Sequence, residues 1–215
     1  SVDAAVVELG VEPARHRPVP RIDALPAVIS IDEVVGAAVV VDRAISIPVG
    51  LDVRTASPAL SVVPFGENVI VAGAAGTGRS SVLTAFARAA GGVAADLAVF
   101  AVAPRGGPLS EIDGLDRPTE PADVSDWVDR IIAAPGRRLV LVDDADRVGG
   151  PNFERLAALR DDGVIVVVAG RADDLRAPGH WSRPLLRFRH AVLLRPESSD
   201  GDLVRVSLGL RMANF

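Results

Sequence analysis

"GAAGTGRSS", residues 73–81, is the segment from which the architecture of this 215-residue chain can be inferred. It follows an apolar run, "NVIVAG" (68–73), that reads as a buried strand. It precedes "SSVLTAFARAA" (80–90), whose apolar residues Val82, Leu83, Phe86 and Ala90 recur at helical spacing, with a stop expected at Gly91-Gly92. Residues 73–80 match the phosphate-loop pattern G-x-x-x-x-G-K-[ST] at every fixed position except the lysine, which is Arg79. Gly73, Gly76 and Gly78 permit positive φ and close backbone approach, so N–H groups of the loop, which also contains Ala74, Ala75 and Thr77, can converge on one concavity. The helix that follows aims its positive end at the same point, through Arg79, Ser80 and Ser81. A magnesium-bound nucleoside triphosphate such as ATP fits such a loop, with the Ser80 hydroxyl on the metal. Arginine is longer and forked and does not place its charge where lysine would, so binding is expected to survive better than hydrolysis. A plain glycine-rich turn is the competing reading, and the flanking strand and helix weigh against it.

A second polar cluster ends another apolar run. In "LVLVDDAD" (139–146), Asp143 is expected to bind magnesium and Asp144 to orient or deprotonate an attacking water. Neighbouring residues on a strand point to opposite faces, but a turn at the strand's end can bring both acids to one site. Alone, the pattern would equally suit a solubilising loop; paired with the phosphate loop it reads as the acidic arm of the same site. The later strand "VIVVVAG" (164–170) is followed by Arg171, the candidate sensor of the terminal phosphate, with an ordinary surface arginine as the alternative. Trp127 and Trp181 fall on apolar helical faces and read as core.

The rest of the chain alternates similarly. "ISIPVGLD" and "ALSVVPF" are expected strands, as are "DLAVFAVAP" and "HAVLLRP", with "DLVRVSLG" closing the sheet. Helices are expected over "PADVSDWVDRIIAAPG", with Val124, Trp127, Val128 and Ile131 inward, over "NFERLAALRDDG", and briefly over "GHWSRPLLRF". Near-continuous apolar strands alternating with helices imply an α/β fold, a mostly parallel sheet covered on both faces. Both polar motifs then fall at the carboxyl ends of strands, where such sheets bind ligands. Residues 1–44 read as a proline-rich linker or strap in which Ser30 could cap a short helix with Glu33 in the capping box; residues 45–215 read as the domain.

Composition narrows the function classes. There is no cysteine, so disulfides and thiolate chemistry are excluded, and His16, His180 and His190 are too scattered for a metal cluster. The net charge of −5 provides no general basic field for nucleic acid. No apolar run reaches the ~20 residues of a membrane span. All 23 basic residues are arginine, so Arg79 is either drift from lysine under a coding bias or a different phosphate contact. A start at Ser1 and a single methionine, Met212, suggest a segment of a longer polypeptide.

Taken together, "LPAVISIDEV", "IPVGLDVRTASPALSVV", "VIVAGAAGTGRSSVL", "LVLVDDADRV" and "WSRPLLRFRHAVLLRPESSDGDLVRVSL" resemble the FtsK/SpoIIIE family of P-loop ATPases over residues 20 to 210, most closely a C-terminal ATPase module of the EccC/EssC type from actinobacterial type VII secretion. The resemblance implies a RecA-like fold and ATP and magnesium as ligands. It also implies a cytoplasmic domain of a membrane-anchored parent with adjacent ATPase domains, secreted helical-hairpin substrates and ring assembly. By the same resemblance, Pro196, Asp200 and Gly201 are candidates for the base side of the nucleotide. Two departures, Asn68 for a histidine and Arg79 for lysine, suggest a degenerate module. Three readings stay open: a weakly hydrolysing motor module, a pseudo-ATPase that docks export signals or neighbouring domains in an apolar groove near Trp127 or Trp181, and a DNA translocase, which the acidic balance disfavours.

Overall fold

The computed structural model describes residues 26, 29–41, 43–93, 96–159, 163–186 and 190–204. The proline-rich stretch through residue 25 and residues 205–209 of the expected closing strand lie outside these.

The chain begins with a five-residue helix, α1 (Ile31–Val35). Ser30 caps it: its hydroxyl accepts the Asp32 N–H, and the Glu33 carboxylate accepts the Ser30 N–H at 2.8 Å, the expected capping box. Three strands follow, β1 (Val39–Val41), β2 (Ala44–Leu51) and β3 (Pro58–Pro64), and form a separate antiparallel sheet in the order β1-β2-β3. β1 lies within the stretch expected to be irregular; three consecutive valines pair there with Ala44–Ser46. The β2–β3 hairpin is closed by Asp52, whose carboxylate accepts the N–H groups of Arg54 and Thr55.

The main sheet is parallel. It comprises β4 (Asn68–Gly73), β5 (Leu97–Val102), β6 (Arg137–Val142), β7 (Val164–Gly170) and β8 (His190–Leu194), in the order β5-β6-β7-β4-β8. Each strand feeds side chains alternately to two cores. Ile70, Val140, Val166 and Val168 face one core with Trp127, Val128 and Ile131 of α3 (Val124–Ala133), Phe153 and Leu156 of α4 (Pro151–Ala158), and Trp181. Val69, Val71, Leu139, Leu141 and Val167 face the other, against α2 (Arg79–Val93) and Ile45, Ile47 and Val63 of the small sheet. The small sheet therefore clamps α2 onto the face from which the phosphate loop rises.

Three expectations are corrected. α2 does not stop at Gly91-Gly92 but continues to Val93, because Ala89 and Ala90 are packed in the core and glycine in an exposed last turn costs only about 1 kcal/mol relative to alanine. "GHWSRPLLRF" yields only a 3-10 turn over Arg183–Leu186 among the described residues. The expected strand over "DLVRVSLG" begins instead as a helical turn, α5 (Gly201–Val204). The Asp200 carboxylate accepts the Glu197 N–H at 2.8 Å and starts that turn, and Leu203 anchors it in the core. Both tryptophans are core, as expected. The Trp127 indole donates to the Asp116 carbonyl at 3.1 Å, and Phe153 packs between the two rings.

Candidate nucleotide site

β4 lies inside the sheet and ends at Gly73, so the loop of residues 74–78 emerges at the carboxyl edge, next to the ends of β7 and β8. Gly73 is required sterically: a Cβ there would lie 2.5 Å from Thr77 Oγ1 and 2.8 Å from the Leu194 carbonyl of β8. Gly73→Ala is accordingly expected to destabilise the fold by roughly 1–3 kcal/mol through overpacking, read as a lowered Tm. Gly76 and Gly78 carry φ of 77° and 101°, the conformations that need glycine. Inside the loop, the Thr77 hydroxyl donates to the Ala74 carbonyl at 2.8 Å and fixes the curve. The N–H groups of Gly76, Gly78, Arg79, Ser80 and Ser81 find no acceptor among the described residues. Orphan donors at the start of a fifteen-residue helix, in a loop whose residues Ala74–Gly76 are exposed, form a ready anion cradle.

Arg79 does not extend into solvent. Its side chain is 10% exposed; one arm of the guanidinium donates to the Gly73 carbonyl at 3.1 Å and the other to Asp144 Oδ1 at 3.3 Å. It thus reaches from the end of β4 past the end of β7 to the acidic turn after β6. Asp144 adopts the left-handed region (φ 42°), which turns its carboxylate toward the loop, and Arg105, three residues past β5, approaches its other oxygen at 3.6 Å. Asp144, the residue expected to orient water, is thus held between two guanidiniums in this structure.

Asp143 is different. It is 2% exposed, and its carboxylate accepts the Asp144 N–H at 2.9 Å. Among the described residues it has no cationic partner. A buried carboxylate without a counter-charge is costly and is a natural ligand for a metal ion. No group of three acidic or histidine side chains that could hold a metal alone occurs among the described residues, so a cation at Asp143 would need phosphate oxygens, the Ser80 hydroxyl and water to complete its shell. The residues present fit magnesium in that shared arrangement. The turn carrying the acids is braced from behind: the Trp181 indole donates to the Ala145 carbonyl at 3.0 Å, and His180 Nε2 lies 3.2 Å from the same oxygen.

Arg171 opens the turn after β7, is largely exposed, and makes only a loose 3.8 Å contact with Asp174. A cleft of about 90 Å³ brings Arg171 and Asp200 together with Gly73 and Ala74, and adds Arg195 and Glu197. Pro196 and Gly201 flank it in sequence without lining it. Arg105 and Arg195 are the residues that sequence reading missed. Their signal was position alone: each follows the carboxyl end of a parallel strand, where such sheets bind ligands. Both tryptophan rings are buried, and beside them, next to the acidic turn, lies a cleft of about 710 Å³ bordered by Pro104, Arg117, Val124, Val148 and Phe153, the ring that packs between the two tryptophans.

No protein-family model and no curated protein matches this sequence. Solved structures do share the fold. The cytoplasmic domain of the type VII secretion ATPase EccC from Thermomonospora curvata is similar at TM-score 0.65 and 16% identity, over 91% of this chain and 26% of its own. EssC (ATPases 2 and 3) from Geobacillus thermodenitrificans is similar at TM-score 0.63 and 19% identity, over 88% and 41% of the two chains. Thermomonospora curvata EccC (ATPases 2 and 3), solved in complex with a signal sequence peptide, is similar at TM-score 0.55 and 17% identity, over 73% and 35%. The chain thus spans between about a quarter and two fifths of these longer proteins. The fold is α/β and RecA-like, shared with these ATPase domains.

Proposed function

We propose that this chain is an ATP-binding module of an EccC/EssC-type secretion ATPase, one unit of a longer polypeptide, with weak hydrolysis. The observation that carries the reading is the pairing of a loop of orphan N–H donors with a buried carboxylate, Asp143, that lacks a cation. The loop amides and the α2 terminus would bind the phosphate oxygens. Ser80 and Asp143 would hold magnesium, which supplies charge neutralisation for the triphosphate.

Weak turnover follows from Arg79. To contact phosphate its guanidinium must leave Asp144, and Asp144 can orient water only when both Arg79 and Arg105 release it. Ligand binding and assembly of the water-orienting group therefore both require breaking the same ion pair, and the second also requires Arg105 to let go, so the pair opposes turnover. Arg171, at the end of β7, is the proposed sensor of the terminal phosphate, and Asp200, with Pro196 and Gly201, is proposed to lie on the base side of the nucleotide. By the same reading the module works on the cytoplasmic side of a membrane, beside neighbouring ATPase domains that can assemble as a ring, and energises or regulates export of small helical-hairpin proteins. No helix among the described residues is long and apolar enough to cross a membrane.

Calorimetric titration with ATP and magnesium tests this. Saturable heat at sub-millimolar ATP is expected, with little turnover; absence of heat at millimolar ATP would transfer the argument to a docking module, for which the cleft beside Phe153 is the specific candidate surface. Duplex DNA at physiological salt is expected not to bind, and tight binding would favour a translocase instead.

A further inference from the structure

Among the described residues three that are not glycine have positive φ: Ala56 in the β2–β3 hairpin, Asp144, and Arg195 (φ 48°). The last two stand at the carboxyl edge of the main sheet, on either side of the phosphate loop. Asp144 follows β6, two strands away, and Arg195 follows β8, which pairs directly with β4. Strain concentrated where ligands bind points to a functional demand on the side chain, because glycine would serve the turn better.

The surroundings of Arg195 agree. It lines the cleft of about 90 Å³ together with Arg171, Gly73 and Ala74, Arg171 following β7 and Arg195 following β8, the two strands that flank β4. That volume suits a phosphoryl group. Three carboxylates share the cleft: Asp173 pairs with Arg176, Asp200 accepts the Glu197 N–H, and Glu197 is exposed. Arg195 itself has no ion-pair partner among the described residues. Two arginines with no firm partner thus converge on the first residues of the phosphate loop. Leu194 pairs with Gly73, so Arg195 is the first residue past β8 beside the start of the phosphate loop.

We infer that Arg195 is a further ligand-contacting residue, a second cation that binds a phosphate oxygen of the nucleotide from the β8 side, opposite Arg171. The inference rests on the nucleotide reading above.

The test uses the 215-residue chain, wild type and with Arg195→Ala and Arg195→Gly, titrated with ATP and separately with tripolyphosphate, both with magnesium; thermal unfolding is followed without ligand. Loss of a charge-assisted contact is expected to weaken both ligands about tenfold in both variants. Arg195→Gly is expected to melt at or above the wild-type temperature, since the left-handed turn is relieved. Weaker binding together with an unchanged or raised Tm separates contact from scaffolding. Wild-type affinity in either variant overturns the inference, as does a loss confined to ATP with tripolyphosphate unaffected, which would place the guanidinium on the nucleoside. A wild-type chain that binds neither ligand overturns the nucleotide reading itself, and this assignment with it.

Discussion

Asp143→Asn is expected to weaken binding of ATP in the presence of magnesium by about a hundredfold, roughly 2.7 kcal/mol, while leaving the much weaker metal-free binding unchanged. The substitution preserves shape and the acceptor for the Asp144 N–H, seen at 2.9 Å, and removes only the charge. That charge is 2% exposed and lacks a cation among the described residues, so in the ligand-free protein it is a net cost, on the order of several kcal/mol after relaxation. The variant should therefore unfold at a higher temperature without ligand and lose its metal-dependent gain in affinity. The two readouts move in opposite directions only if Asp143 is kept for a metal. A higher Tm with unchanged magnesium-dependent affinity would mean that the metal, where bound, is held by other groups.

The features legible in the sequence are those encoded over a few consecutive residues. The strand before the loop, the glycines at 73, 76 and 78, and the acidic end of β6 each carry a local requirement, either a positive φ, a close backbone approach or a buried apolar run. These placed both motifs at the carboxyl edge of a parallel sheet, and the structure has the glycine loop and the acidic turn there. What stayed hidden depends on distance in the chain. The inward turn of Arg79 joins residues 65 positions apart, and no local pattern announces it. Arg105 and Arg195 were indistinguishable from surface arginines in a chain whose every cation is arginine, and only strand order brings them to the edge. The run through Gly91-Gly92 is a case of packing overriding local preference, since Ala89 and Ala90 are fixed by the core and carry the glycines with them. In the small antiparallel sheet β2 and β3 are legible as strands, whereas β1 and the sheet's standing as a separate layer are not, because hydrophobic alternation identifies a face and not the partner it meets.

Arg79→Lys is expected to raise the rate of ATP hydrolysis at least tenfold, with a smaller change in affinity. In the present arrangement the two arms of the guanidinium bond the Gly73 carbonyl and Asp144 at the same time, at 3.1 Å and 3.3 Å. A lysine ammonium, a single compact centre on a shorter stem, is not forked to span both acceptors in that way, so it should hold Asp144 less firmly and exchange it more readily for phosphate. Asp144→Asn provides the complementary arm. It breaks the same ion pair from the other side, and ATP should bind several-fold more tightly because Arg79 no longer leaves a charged partner when it turns to phosphate. Hydrolysis should nevertheless fall, because the water-orienting carboxylate is gone. If Arg79→Lys left turnover as slow as before while Asp144→Asn tightened binding, the ion pair would govern affinity alone. The low rate would then have to come from an absent group, such as a cation supplied by a neighbouring domain, and mixing with that domain should restore it.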